Sequence, residues 1–225
     1  VSIVDDEKYE TLFLYSNLNK EAIINSSETT LNENIYFVIS YNEKINLPNI
    51  EKVFFELDQT KVYWKSWCYK TPSFESYNDE ILRSAMTLKL LNFEKTGAII
   101  AAATTSIPEA IGEERNWDYR FCWIRDASMV IKVISKIGHV KMVKNFIDFI
   151  LNIIPDKNEK LQIMYGISGE KNLHEETLDY LSGFQNSKPV RTGNAAYVQK
   201  QNDIYGILMD AIHFQIQKYS NDDDK

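Results

Sequence analysis

Residues 116–128 read NWDYRFCWIRDAS. Trp117, Tyr119, Phe121 and Trp123 fall on every second position, Asp118 and Arg120 lie between them, and Arg125 and Asp126 follow at once. Alternation at period two predicts an extended segment with all four rings on one side. A sugar would use such a surface: its apolar C–H faces stack on Trp or Tyr, and its vicinal hydroxyls suit an Arg donor fork beside an Asp acceptor. The plainer alternative for the rings is a buried edge strand, since aromatics are common in strands. For Asp126 it is a place at or near the N-cap of a helix starting near Ala127. A buried strand, however, would have to find partners for Asp118, Arg120, Arg125 and Asp126. A wet, concave ligand site is expected to resolve that conflict.

Other chemistry is sparse. Glu113 with Glu114, Glu170, and Glu175 with Glu176 are the carboxylates in the neighbouring segments. Adjacent carboxylates point different ways on a helix or strand, so none of these is expected to form a catalytic pair. His139, His174 and His213 are scattered, and Cys68 and Cys122 sit in no metal or redox motif. No metal site and no cofactor are expected, and the two cysteines read as reduced thiols of a cytoplasmic protein.

The whole chain sets the wider bounds. Its 225 residues are 44% hydrophobic and 12% aromatic, a globular composition. A formal charge of −7 argues against nucleic acid or an anionic membrane surface as partner. No apolar run reaches the roughly 18 residues that a membrane span needs. The acidic start VSIVDDEKYE lacks the pattern of a signal peptide.

The elements around the motif change character along the chain. Through residue 57 the pattern predicts strands, at 11–16, 34–41 and 52–57, with a loop over 23–34. Residues 58–80 read as a transition in which Trp64 and Trp67 meet on a short helix before Pro72. From residue 81 the periodicity turns helical. One helix is expected to end at Gly138, a C′ glycine. Another, over 140–154, carries an apolar stripe of Val140, Val143, Phe146, Ile147, Ile150, Leu151 and Ile154 before Pro155. Gly-punctuated loops fill 161–173 and 188–196, a long helix is expected over 196–219, and the end SNDDDK reads as a solvated tail. Strands first and helices afterwards predict separate β and α domains rather than alternating units.

The segment RSAMTLKLLNFEKTGAIIAAATTSIPEAIGEERNWDYRFCWIRDASMVIKVISKIGH (83–139) closely resembles glycoside hydrolase family 15, the glucoamylases and related trehalases. LQIMYGISGE (161–170) and PVRTGNAAYVQKQNDIYGILMDA (189–211) continue the resemblance in the same order. It implies that residues 1–57 are the end of a β-sandwich domain, 58–80 a linker, and 81–225 the first part of an (α/α)6 barrel. By the same resemblance Arg125 and Asp126 grip the hydroxyls of a terminal glucose, while Trp123 and Tyr119 shape its pocket. Trp117 would be pocket wall or core, and Asn194 of the Gly193 to Ala196 loop would lie on the same face.

Family members invert the glycosidic bond with two glutamates, and their general acid sits in a Trp-Glu pair. No Trp-Glu pair occurs in this sequence. The chain is therefore expected to be a fragment or truncated member of a glucoamylase-type α-glucosidase, with the glucose subsite but without either catalytic glutamate. A trehalase of the same family is the second reading, and a non-catalytic sugar-binding or interaction protein the third. An α-glucoside or trehalose is the expected ligand. Apolar helix faces such as Val143, Phe146 and Ile150 are expected to lack partners unless a missing C-terminal half or an oligomer partner covers them.

Overall fold

The computed structural model describes residues 1–5, 10–153 and 160–222. Ile154, Pro155 and the last three residues of the acidic tail lie outside the described residues. The chain divides into two compact units, residues 1–67 and 68–225.

In the first unit, β1 (Ser2–Asp5), β2 (Glu10–Ser16) and β3 (Phe37–Tyr41) form an antiparallel sheet in that order. The register places Leu12 opposite both Ile3 and Tyr41. Between β2 and β3 lies α1 (Lys20–Ile24), begun by Asn19, whose side chain accepts the Glu21 N–H.

The strand expected over 52–57 is instead part of α2 (Ile50–Tyr69). Asn49 accounts for the difference: its Oδ1 accepts the Lys52 N–H at 2.8 Å, which starts a helix on residues whose aromatic character alone suggests a strand. The helix then runs through much of the expected linker. It brings Trp64 and Trp67 edge to face with centroids 6.1 Å apart, the meeting their spacing predicts.

The second unit begins with α3 (Asn78–Leu90), followed by β4 (Cys122–Trp123), α4 (Ile124–Lys136) and α5 (Val140–Ile153). Then come β5 (Met164–Tyr165), β6 (Glu176–Thr177), β7 (Arg191–Thr192) and α6 (Asp203–Asp222). Helix α4 lies at the centre, packed on both α5 and α6. Ile131 and Ile134 of α4, Phe146 and Ile150 of α5, and Ala211 of α6 are wholly buried. Burying one such large side chain stabilises the fold by about 1.5–3 kcal/mol.

The end of α4 follows its sequence signal. Gly138 has φ of +90°, its N–H donates to Ser135 O, and the His139 N–H reaches back to Ile134 O. That is a Schellman ending, and it turns the chain directly into α5.

Two expectations about helix faces need correction. Val143, Phe146 and Ile150 are buried, with Met142, Phe149 and Ile153 beside them, so this face of α5 does not lack partners. Helix α4 covers it within the chain. Val140 and Leu151, expected in the same stripe, are exposed because they sit at its margins. The long helix expected from 196 starts only at Asp203. Residues Ala195–Val198 form a short 3-10 turn, and Gln199 is extended, so the helical pattern is interrupted before it propagates.

Candidate functional site

The motif segment is held by backbone pairing rather than by a long strand. Ser106 N–H donates to Trp117 O, Ala102 N–H to Tyr119 O and Ala101 N–H to Phe121 O, all within 3.0 Å. Then the chain turns sharply. The Trp123 N–H donates to Phe121 O, two residues back, which is a γ-turn. Cys122 and Trp123 then pair with Tyr165 and Met164.

That turn breaks the expected alternation. Trp117, Tyr119 and Trp123 line one concavity of about 310 Å³, whereas Phe121 lines a separate one of about 640 Å³. The smaller volume lies at the low end for small-molecule sites. Glu175, Asn194, Ala195, Ala196, Gln199 and Gln201 complete its lining.

The charges of the motif find protein partners beside the concavity. Asp118 has a fully buried carboxylate. Arg120 grips it through Nε at 2.9 Å and a terminal nitrogen at 2.7 Å, a bidentate pair. That pairing, above all its hydrogen bond, raises the pKa of Arg120 and keeps it charged. The Gly193 N–H also donates to Asp118 Oδ2, and Asn194 Nδ2 donates to Asp118 O. Asp118 therefore ties the ring segment to the loop that follows β7.

Asp126 lies near the N-cap of α4 rather than on it. Trp123 occupies that position, and Asp126 lies in the first turn of α4, where its charge still favours the helix dipole. Arg125 pairs with Asp126 at 3.2 Å and with Asp203 at 3.4 Å. It also donates to Gln201 Oε1 at 3.3 Å, and its guanidinium lies 5.5 Å from the centre of the Trp123 ring. Arg125 and Asp126 are thus not among the lining residues, but Gln201 and Trp123 connect them to the concavity. Tyr119 senses Asp126 as well. Burial first, then the charges of Glu109 and Asp126, raises the pKa of its phenol.

The opposite wall rests on the pairing of β6 with β7, Glu176 opposite Thr192 and Thr177 opposite Arg191. Gly193 has φ of +77°, and a Cβ there would lie 1.7 Å from His174 O, so only glycine lets the loop pass so close. Asn194 is buried, and its Oδ1 accepts the Ala196 N–H while its Nδ2 serves Asp118 O. Its amide thus ties the loop to the ring segment while the residue lines the concavity. Glu175 faces the concavity, whereas its neighbour Glu176 is exposed.

The alternation points to the rings and the carboxylate count includes Glu175 only as one of a solvated pair, while nothing in the spacing singles out Arg191, Gln199 or Gln201. Their roles arise from strand pairing and loop packing across separations that spacing does not reveal. Among the described residues no group of three or more His, Cys, Asp or Glu lies together to hold a metal ion. Nor is any described helix long and apolar enough to cross a membrane.

Comparison with known proteins bears on this site. Residues 75–224, which contain all of it, match Glycosyl hydrolases family 15. A trehalase of Mycolicibacterium smegmatis is 37% identical over 191 residues, covering 82% of this chain and 28% of that protein. A trehalase of Thermoplasma volcanium is 41% identical over 162 residues, covering 72% of this chain and 26% of that protein. Trehalase 2 of Sulfolobus acidocaldarius is 43% identical over 138 residues, 61% of this chain and 24% of that protein. The chain thus spans about a quarter of the length of these relatives. No solved structure matches. With the match covering the ring segment, both walls of the concavity and every helix from α3 onward, the chain belongs to glycosyl hydrolase family 15.

Proposed function

We propose that this chain is the glucose-holding portion of a trehalase, the second of the sequence readings, rather than of a glucoamylase. The observation that carries the reading is the concavity bounded by Trp117, Tyr119 and Trp123, in a chain whose relatives are named trehalases. Its rings suit the C–H faces of a glucosyl unit, and its Gln and Glu side chains suit the hydroxyls. Arg125 and Asp126 grip the terminal glucose at the rim next to Gln201, and Asn194 forms part of the pocket wall.

Inversion at an α-glucosidic carbon needs one carboxylic acid to protonate the leaving oxygen and one carboxylate to activate a water. The two carboxyls stand about 6.5–9.5 Å apart so that the water fits between sugar and base. Among the residues lining the concavity Glu175 is the one carboxylate. We therefore place the catalytic pair outside this wall, and the wall's part in the reaction is to bind and orient the sugar. In the same reading the β1–β3 sheet is the end of a β-sandwich domain, α2 the connection, and the helices from α3 onward part of an (α/α)6 barrel. The order of sheet before helices supports this.

The test is a side-by-side titration of the purified chain with trehalose and maltose, followed by tryptophan emission. Saturable change with trehalose at concentrations where maltose has little effect supports the trehalase reading. The reverse preference would return the glucoamylase reading, and no response to either sugar would remove the sugar site altogether.

A further inference from the structure

Glu175 has no role in the grip of Arg125 and Asp126, yet its carboxylate is placed with unusual care. It is 20% exposed, and Arg191 beside it is 13% exposed. Glu175 Oε1 accepts from Arg191 Nε at 3.1 Å, and Oε2 accepts the Ala195 N–H at 3.0 Å. Arg191 in turn is fixed on its other sides. One terminal nitrogen donates to Glu114 O at 3.0 Å and to Asn116 O at 3.2 Å, and its guanidinium lies 4.6 Å from the centre of the Trp117 ring.

A carboxylate offers about four lone-pair positions. The two protein donors occupy one on each oxygen. The Arg191 partner accounts for the negative charge, and the lone pairs that neither protein donor uses belong to a residue lining the concavity. Arg191, by holding both Glu175 and one face of Trp117, couples an acceptor to a ring platform.

We propose that Glu175 contacts the ligand, accepting sugar hydroxyls through its free lone pairs, and that Arg191 is the positioning residue that aims it. The proposal rests on the sugar-site reading above. Glu175 then determines specificity: it favours ligands that present a hydroxyl at one position and discriminates against those that lack it.

The experiment compares the purified chain with Glu175→Gln and Arg191→Lys in binding trehalose and singly deoxygenated glucose analogues, with thermal melting as the check on folding. Glu175→Gln should weaken trehalose binding about tenfold or more, the range for a hydrogen bond to a charged group, while the variant still melts cooperatively, a few degrees lower because Arg191 loses its counter-charge. For the analogue that lacks the contacted hydroxyl, wild type and Glu175→Gln should bind alike. Arg191→Lys should also weaken trehalose binding, and its effect should shrink in the Glu175→Gln background to the part exerted through Trp117. Unchanged trehalose affinity in Glu175→Gln, or an equal loss for every analogue, would overturn the proposal and leave a structural brace. If the wild-type chain binds no sugar, the sugar-site reading falls and this proposal with it.

Discussion

Asp118→Ala is expected to destabilise the chain by about 3 kcal/mol. The carboxylate is fully buried and binds both the Arg120 fork and the Gly193 N–H. Removing one partner of a fully buried ion pair costs about 3–5 kcal/mol. Here Arg120 is 45% exposed and can recover much of its hydration, so its share falls below that range. The Gly193 N–H cannot recover in the same way, since that bond is buried, and an orphaned donor of this kind costs about 1–3 kcal/mol. The two contributions together come to about 2–4 kcal/mol. At roughly 2–4 °C per kcal/mol for a chain of this size, melting should fall by about 6–12 °C. Near-ultraviolet circular dichroism is the suitable probe because Trp117 and Trp123 flank the site. Asp118→Asn keeps an acceptor for Gly193 and should lose about half as much. A shift under about 2 °C for Asp118→Ala would refute the claim that this carboxylate joins the two walls.

Further expectations follow from single groups. Burial, then the nearby Lys70 and Lys89, lowers the pKa of His139, whose Nε2 lies 2.8 Å from the Thr71 hydroxyl. A depressed folded pKa means that its contribution is complete above the unfolded value of about 6.5 and is lost as pH falls through the folded one. Denaturant midpoints between pH 7.5 and 5.5 should therefore fall less for His139→Gln than for wild type. The Cys122 thiol is buried and pushed up to about 12, while Cys68 is half-buried. Alkylation of the native chain at pH 8 should modify Cys68 alone, and both thiols should react after denaturation. Gly193→Ala forces a Cβ to within 1.7 Å of His174 O at a positive φ, so the loop must move. It should abolish the concavity, and unaltered sugar binding by this variant would contradict the packing described.

The elements that the sequence conveyed best are those where one local pattern decides the outcome. Phe146 and Ile150 recur at helical spacing, and Gly138 stands where only a left-handed residue ends α4 well. The run 52–57 misled because a short aromatic stretch suits strand and helix alike, and Asn49 settles it by a side-chain bond made outside the run. Phe121 departs from its alternating neighbours because one γ-turn hydrogen bond rotates the chain. The pairing of Arg191 with Glu175 was invisible for another reason. They are 16 positions apart, and only the β6–β7 pairing and the tight passage at Gly193 bring them together. Likewise Asp118 and Arg120 read as charges in need of partners, and their mutual geometry shows that they bind one another.

The central claim is that the concavity between the ring segment and the Gly193 loop holds a glucosyl unit. Indole N–H resonances of the purified chain during a trehalose titration test it most directly. There are four tryptophans, of which Trp117 and Trp123 line the concavity while Trp64 and Trp67 lie in α2. The Trp117 and Trp123 signals are expected to shift together and saturate while those of Trp64 and Trp67 stay in place. Shifts confined to Trp64 and Trp67, or no shift at any of the four, would contradict it.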